Sequence, residues 1–191
     1  GLNAGGFNDP GIQWGFAGIA AGVIGGYGVI DDNSILIVGA MAVSPDLLPI
    51  TAIGVGIVAR RLGLAGRALL TLAVGLGVAA LAASLAAFVQ DQLGLLPSDF
   101  SIEVTGALGG LTTVSNETIA VALVAGMAGM LALETRASSG VGVAISVTTI
   151  PAAAYLGVAA GLLEIDEALG ALGVLGTNVS MMVVGAGATL A

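Results

Sequence analysis

The chain contains no cysteine and no histidine. These two absences exclude disulfides, thiol catalysis, a Ser-His-Asp triad and the common zinc sites, all of which need one or both residues. Lysine is missing as well, and the four basic residues are Arg60, Arg61, Arg67 and Arg136. Set against twelve acids they leave a formal net charge of −8. No basic patch exists beyond Arg60, Arg61 and Arg67, so nucleic-acid binding is not expected. Charge of either sign is scarce: 8% of the residues are charged, against about 25% in soluble domains.

Apolar and small residues take their place. Of the 191 residues 57% are hydrophobic and 32 are glycine, and the mean hydropathy is +1.10. This composition specifies an all-α integral membrane protein, since long apolar stretches cross a bilayer as helices. Acidity, lysine avoidance and Ala/Gly/Val richness together suggest adaptation to high salt. The chain begins at Gly1 rather than Met, which points to a segment trimmed from a longer protein. A cleaved signal peptide is the rival reading, and no retained signal pattern is present.

At roughly 20 residues per span the sequence divides into six segments: 10–30, 34–59, 64–90, 117–134, 138–162 and 167–190. They form one transmembrane domain, with residues 91–116 as the longest connection. If the segments alternate in direction, one side receives all four arginines with Asp9 and Glu134. The other receives Asp31, Asp32, Asp91, Asp99, Glu103, Glu164, Asp166 and Glu167. The positive-inside rule makes the arginine side, and both termini, cytoplasmic in a multi-pass cell-membrane protein. A miscounted span would scramble this sorting, so it also supports the count of six.

The second segment carries a defect. Pro45 and Pro49 each remove a backbone donor in mid-span, and Asp46 sets an ionisable group where hydrocarbon makes it costly. Ser44 followed by Pro45 reads as an N-cap and first helical residue, predicting a half-helix over 45–59 that starts inside the bilayer. Thr148, Thr149 and Pro151 read the same way, with Thr149 capping a half-helix that runs to about 162. Two facing half-helix N-termini would make a polar or anionic site. Asp46 could instead fill that positive end itself, as a cap, a proton carrier or a cation ligand. Thr177, Asn178 and Ser180 interrupt the sixth apolar segment, and Asn178 is a candidate third wall. An interhelical hydrogen bond that only fixes packing is the plainer reading of Asn178. For Thr112, Thr113, Ser115, Asn116 and Glu117 an exposed cap and loop is expected. No cofactor or metal site is implied.

The halves 10–90 and 105–190 resemble one another. Ala21-Gly22-Val23-Ile24-Gly25 recurs as Ala125-Gly126-Met127-Ala128-Gly129, and the proline-bearing stretch 39–54 recurs as 142–157 with Pro49 answering Pro151. Three segments per half would place the halves upside down relative to one another. An inverted repeat with paired broken helices points to a midplane site in secondary transporters. Gly18, Gly22 and Gly26, four residues apart, are read as packing positions that let helices approach closely.

The run Val38-Gly39-Ala40-Met41-Ala42-Val43-Ser44-Pro45, with Pro49 following, resembles the signature of the membrane family called domain of unknown function 389. Val121 to Gly129 resembles its small-residue fourth segment, Val147 to Pro151 its proline-containing fifth, and Thr177-Asn178 its sixth-segment pair. The resemblance covers the chain from about residue 15 onward. Two departures stand out: Ile150-Pro151 replaces a common Pro-Pro pair, and Asp46 replaces a usually apolar residue. Relatives that carry a soluble cytoplasmic domain before the membrane part would account for the trimmed start. The family implies a fold and a site but no substrate.

The leading functional expectation is a secondary transporter or permeation protein for a small polar or ionic solute. Ser44, Pro45, Asp46, Pro49, Thr148, Thr149, Pro151, Thr177 and Asn178 are its candidate binding residues. The alternative is a structural or sensory membrane anchor for a soluble domain, without transport. An enzyme is not expected, because Ser44 beside Asp46 has no histidine or lysine to activate it. Membrane lipid and further copies of the chain are the expected partners.

Overall fold

The structure, a computed structural model, describes residues 10–44, 46–98, 100–102, 111–135 and 140–190. Asp9, Pro45, Asp99, Glu103 and Arg136, which entered the sequence reading, lie outside the described residues. Seven helices follow in order: α1 Pro10–Ile30, α2 Ser34–Val43, α3 Leu47–Val58, α4 Leu62–Gln92, α5 Asn116–Thr135, α6 Gly140–Gly161 and α7 Ile165–Leu190. Four of them contain stretches long and apolar enough to cross a membrane by themselves, over Gln13–Ile30, Leu62–Gln92, Asn116–Leu133 and Ile165–Leu190. The α2–α3 pair passes the same test as one span bent by 57°. An all-helical fold compatible with a multi-pass membrane protein is therefore present.

The distribution of residue size supports that environment. The buried face of α4 is made mostly of small residues, Ala65, Ala68, Gly75, Ala79, Ala83 and Ala87, while Leu69, Leu70, Leu81, Leu85 and Phe88 point outward. A soluble helix buries its large side chains and exposes charge. Here the helices meet through small residues and present large apolar ones to their surroundings, as membrane helices do.

Glycines set the register of these contacts. A Cβ on Gly22 of α1 would collide with the carbonyl oxygen of Ala79, and one on Gly126 of α5 with that of Met182. Gly18 faces Gly75 and Val78, and Gly26 faces Ala83, so α1 and α4 run parallel. Gly157 and Gly161 of α6 meet Ala80 and Ser84, which makes α6 parallel to α4. Gly54 of α3 meets Ala186, and both α3 and α7 run the other way. α6 is the most enclosed helix, with Ile150, Ala152, Ala153, Ala154, Tyr155, Val158 and Ala159 all buried. It packs against all six other helices described.

Four helix ends close with the same backbone pattern. Asn33 N–H reaches Gly28 C=O, Arg61 reaches Gly56, Leu95 reaches Gln90 and Glu164 reaches Ala159, at 2.7–2.9 Å. Each leaves one residue in the left-handed region: Asp32, Arg60, Gly94 and Leu163. Asn33 Oδ1 then caps α2 through Ile35 and Leu36 N–H, and Ser115 Oγ caps α5 through Thr118 N–H. The expected exposed cap before the fourth span is thus what Ser115 forms. These turns carry charge of one sign at each end of the bundle. Exposed Arg60 and Arg61 occupy the α3–α4 turn, whereas Asp31 and Asp32 follow α1 and Glu164 and Asp166 lie around the α6–α7 turn.

Two corrections concern the proline sites. Ser44 is not the N-cap of a half-helix: it closes α2, its N–H bonding Met41 C=O at 3.3 Å, and its extended backbone (φ −68°, ψ 134°) is what a following proline imposes. Asp46 takes the position before α3, and Pro49 falls in the first turn of α3, where no intrahelical acceptor awaits its missing N–H. The second correction is larger. α6 runs unbroken from Gly140 to Gly161 with Pro151 inside it, so Thr149 caps nothing and the break expected in the fifth segment is absent. One isolated proline removes one bond, which a helix enclosed by six neighbours tolerates, whereas Pro45 and Pro49 remove two donors one turn apart.

Replacing Gly22 or Gly126 by alanine is expected to destabilise the folded chain by about 1–3 kcal/mol each, because backbone rather than a flexible side chain occupies the space. Leu163→Gly should stabilise it by about 1 kcal/mol by relieving a left-handed leucine. Unfolding in detergent measures both signs.

Candidate functional site

The break between α2 and α3 lies deep in the bundle. Ten residues of α2 span about 15 Å and twelve of α3 about 18 Å, so Ser44 and Asp46 stand about midway along the α2–α3 pair. Asp46 is 2% exposed. Its carboxyl does not cap α3 but turns to α6, where Thr149 Oγ1 donates to Oδ2 at 2.8 Å. Ser44 Oγ neighbours the same carboxyl and is otherwise buried without a hydrogen-bond partner. Arg60, Arg61 and Arg67 are all exposed on or just beyond the α3–α4 turn. Arg60 follows Asp46 by about 20 Å of helix, so no described cation neutralises the carboxylate.

A second polar contact forms beside the first. Asn178 of α7, also 2% exposed, donates from Nδ2 to the carbonyl of Thr148 at 2.6 Å. That carbonyl adjoins the one of residue 147, whose helical donor Pro151 lacks, so Asn178 supports α6 where proline weakens its ladder. Thr148 Oγ1 donates to Met182 Sδ at 3.3 Å. Consecutive threonines of α6 thereby engage two different elements, Thr149 the α2–α3 break and Thr148 the helix α7.

Of the residues expected at the site, Ser44, Asp46, Thr148, Thr149 and Asn178 come together around α6. Pro49 and Pro151 are buried at the same depth and shape the backbone without supplying polar atoms. Thr177 does not join them. It is half-buried and its hydroxyl returns to Gly173 C=O in its own helix at 2.9 Å. Pro45 is outside the described residues. The pair of facing half-helix N-termini does not occur, because only α3 begins in the interior.

Three groups were missed in the sequence. Ser146 is fully buried on α6 and its Oγ has no partner among the described residues. A polar residue in an apolar span one turn before Thr149 was the available signal. Thr51 is 1% exposed and bonds back to Leu48 C=O. Tyr155 Oη donates to Ile102 C=O at 2.6 Å, tying the α4–α5 connection to the central helix; nothing in the local pattern of Ile102 signals this. Cavities lie elsewhere. An apolar groove of about 420 Å³ runs between α4, α6 and α7 past Leu72, Leu76, Leu156 and Leu175. A polar one of about 440 Å³ opens at the acidic end beside Asp91, Ser101 and Glu164. Neither reaches Asp46.

Residues 41–184 match the family described as Domain of unknown function (DUF389). The chain belongs to that family. The match takes in both proline sites, Asp46, the two threonines and Asn178, so the polar contacts of this DUF389 member fall within the shared region. No curated protein and no solved structure matches the chain.

Thr149→Val should cost about 1–3 kcal/mol of stability, as expected when a buried acceptor loses its donor. Thr149→Ser, which keeps the hydroxyl, should recover most of that loss. Thermal unfolding of both variants in detergent compares them.

Proposed function

We propose that this DUF389 protein is a multi-pass membrane transporter or permeation protein for a small polar or ionic solute, with the α2–α3 break as its binding region. Six spans are taken by α1, the α2–α3 pair, α4, α5, α6 and α7, with the arginine end and both termini cytoplasmic by the positive-inside rule. The observation that carries the reading is the buried Asp46–Thr149 contact at an interrupted helix. Irregular backbone and an ionisable group at membrane depth are expensive and persist chiefly where they line a path or a site. A neutral capping residue would serve packing alone without that expense.

Equivalent contacts in the two halves support a 3+3 inverted repeat. Gly22 against Ala79 and Gly126 against Met182 join the first and third spans of each half through nearly the same spacing. Asp46 and Thr149, 103 residues apart in sequence, hold corresponding places, so their bond would cross the axis relating the halves. Movement of one half against the other would then make and break contacts at that axis, as alternating access requires. Asp46 is closed off in this conformation, as in an occluded state.

The test is solute uptake into liposomes reconstituted with the purified chain, surveyed over inorganic ions, organic anions and small metabolites. Asp46→Asn and Asn178→Ala are expected to reduce flux at least tenfold while remaining folded. A solute at a hundredfold excess over its Kd should also stabilise the protein by about 2.7 kcal/mol. Variants that lose stability or assembly, with no flux or ligand effect for any solute, would favour the membrane-anchor reading.

A further inference from the structure

The buried polar cluster around α6 is built of oxygen atoms, some of which lack a hydrogen-bond partner. Ser146 Oγ and Asn178 Oδ1 are buried with no hydrogen-bond partner among the described residues, and Ser44 Oγ has none beyond the adjacent Asp46 carboxyl. Buried polar atoms are rarely left so, and each is expected to have a partner of some kind. These atoms sit on the break itself, on α6 where Thr149 holds the carboxyl, and on α7 where Asn178 bonds the neighbouring Thr148, and every one is an oxygen.

Their placement follows from the helix registers. Ser44 adjoins Asp46. Ser146 precedes Thr149 by three residues on α6 and lies on the same face of that helix. Asn178 is fixed by its Nδ2 on Thr148, which leaves Oδ1 as its free atom. α3 and α7 run parallel with Gly54 against Ala186, each eight residues beyond Asp46 and Asn178 respectively, so the carboxylate and the amide stand at one level. The end of α2 adds main-chain oxygens, since the last carbonyls of a helix lack intrahelical donors and carry its negative pole.

We infer that Asp46, Ser44, Ser146 and Asn178 form a binding site for a dehydrated alkali-metal cation. Oxygen donors without nitrogen or sulfur suit a hard ion. One carboxylate fixes the charge: a single positive unit neutralises it, whereas a divalent ion would leave one charge uncompensated at membrane depth. No described cluster of three or more acidic residues offers a divalent ion an alternative. The positive end of α3 opposes a cation here, but Asp46 stands directly at that end and offsets it, while the carbonyl end of α2 favours one. The site rests on the transport reading above for its purpose, and would make the cation either the cargo or the ion to which solute movement is coupled.

The experiment is thermal unfolding of the purified chain in detergent at constant ionic strength, with NaCl, KCl or choline chloride. The wild type should melt higher in one or both alkali salts than in choline, rising with the logarithm of ion concentration. Asp46→Asn should abolish the difference. Ser146→Ala keeps the site's shape and gives a signature that structural damage does not: unchanged or higher stability in choline, because an unpartnered hydroxyl is removed, with an alkali Kd raised about tenfold. This second variant decides the matter if Asp46→Asn does not fold. Equal melting in all three salts, or an alkali response untouched by Ser146→Ala, would overturn the site. A wild type that responds to acid in choline but to neither alkali ion would assign the carboxyl to a proton and overturn it too. Alkali stabilisation without solute flux would leave the cation site standing and remove the transport reading, and flux without alkali stabilisation would do the reverse.

Discussion

An interrupted backbone in apolar surroundings must find partners for its polar atoms inside the protein, and much of this structure answers that requirement. The interruption at Ser44 is forced by Pro45, which disfavours helical backbone in the residue before it, and is lengthened by Pro49, which needs a first helical turn to occupy. Asp46 is thereby left between two half-helices with its carboxyl free of capping duty. Thr149 supplies a side-chain donor from α6, and Ser44 lies beside the same carboxyl. With no described cation nearby, the depth of the break and the scarcity of donors around it set the character of the site.

Close packing makes that meeting possible. Asp46 can reach α6 because α6 is enclosed by small-residue contacts: Gly157 and Gly161 on α4, and Ala154 at Gly25 of α1. Each brings backbones together where a single Cβ would hold them apart, a geometry that substitutes for the hydrophobic drive missing between helices in lipid. The same enclosure holds α6 straight through Pro151. Packing thus determines which of two proline sites becomes a break and which is absorbed.

The two ends of the molecule divide by charge, and the middle by oxygen. Arg60 and Arg61 mark one end, while Asp91 and Glu164 line a polar cavity at the other. Between them the uncharged polar groups that α6 and α7 bring to the break are hydroxyls and one amide. Acids at one end, oxygens in the middle and arginines at the far turn are the electrostatic order that the proposed cation site would need to draw an ion from the acidic side.

Much of this was legible in the sequence. Composition alone specified apolar helices, and proline placement located the break to within two residues, because proline acts on its immediate neighbours whatever the fold. Glycine spacing identified Gly18, Gly22 and Gly26 as contact points on α1, and the family signature lay across the break. Local rules misjudged Ser44 and Thr149 as caps: whether a hydroxyl caps a helix depends on where that helix begins, and in α6 it begins nine residues earlier. Only the tertiary structure decided that α6 stays continuous, that Asp46 faces Thr149, that Asn178 reaches the Thr148 carbonyl while Thr177 bonds its own helix, and that Ser146 is left without a partner. Those outcomes depend on the rotation and level at which separate helices meet, which are set by contacts between residues far apart in the chain and not by any one segment's own pattern.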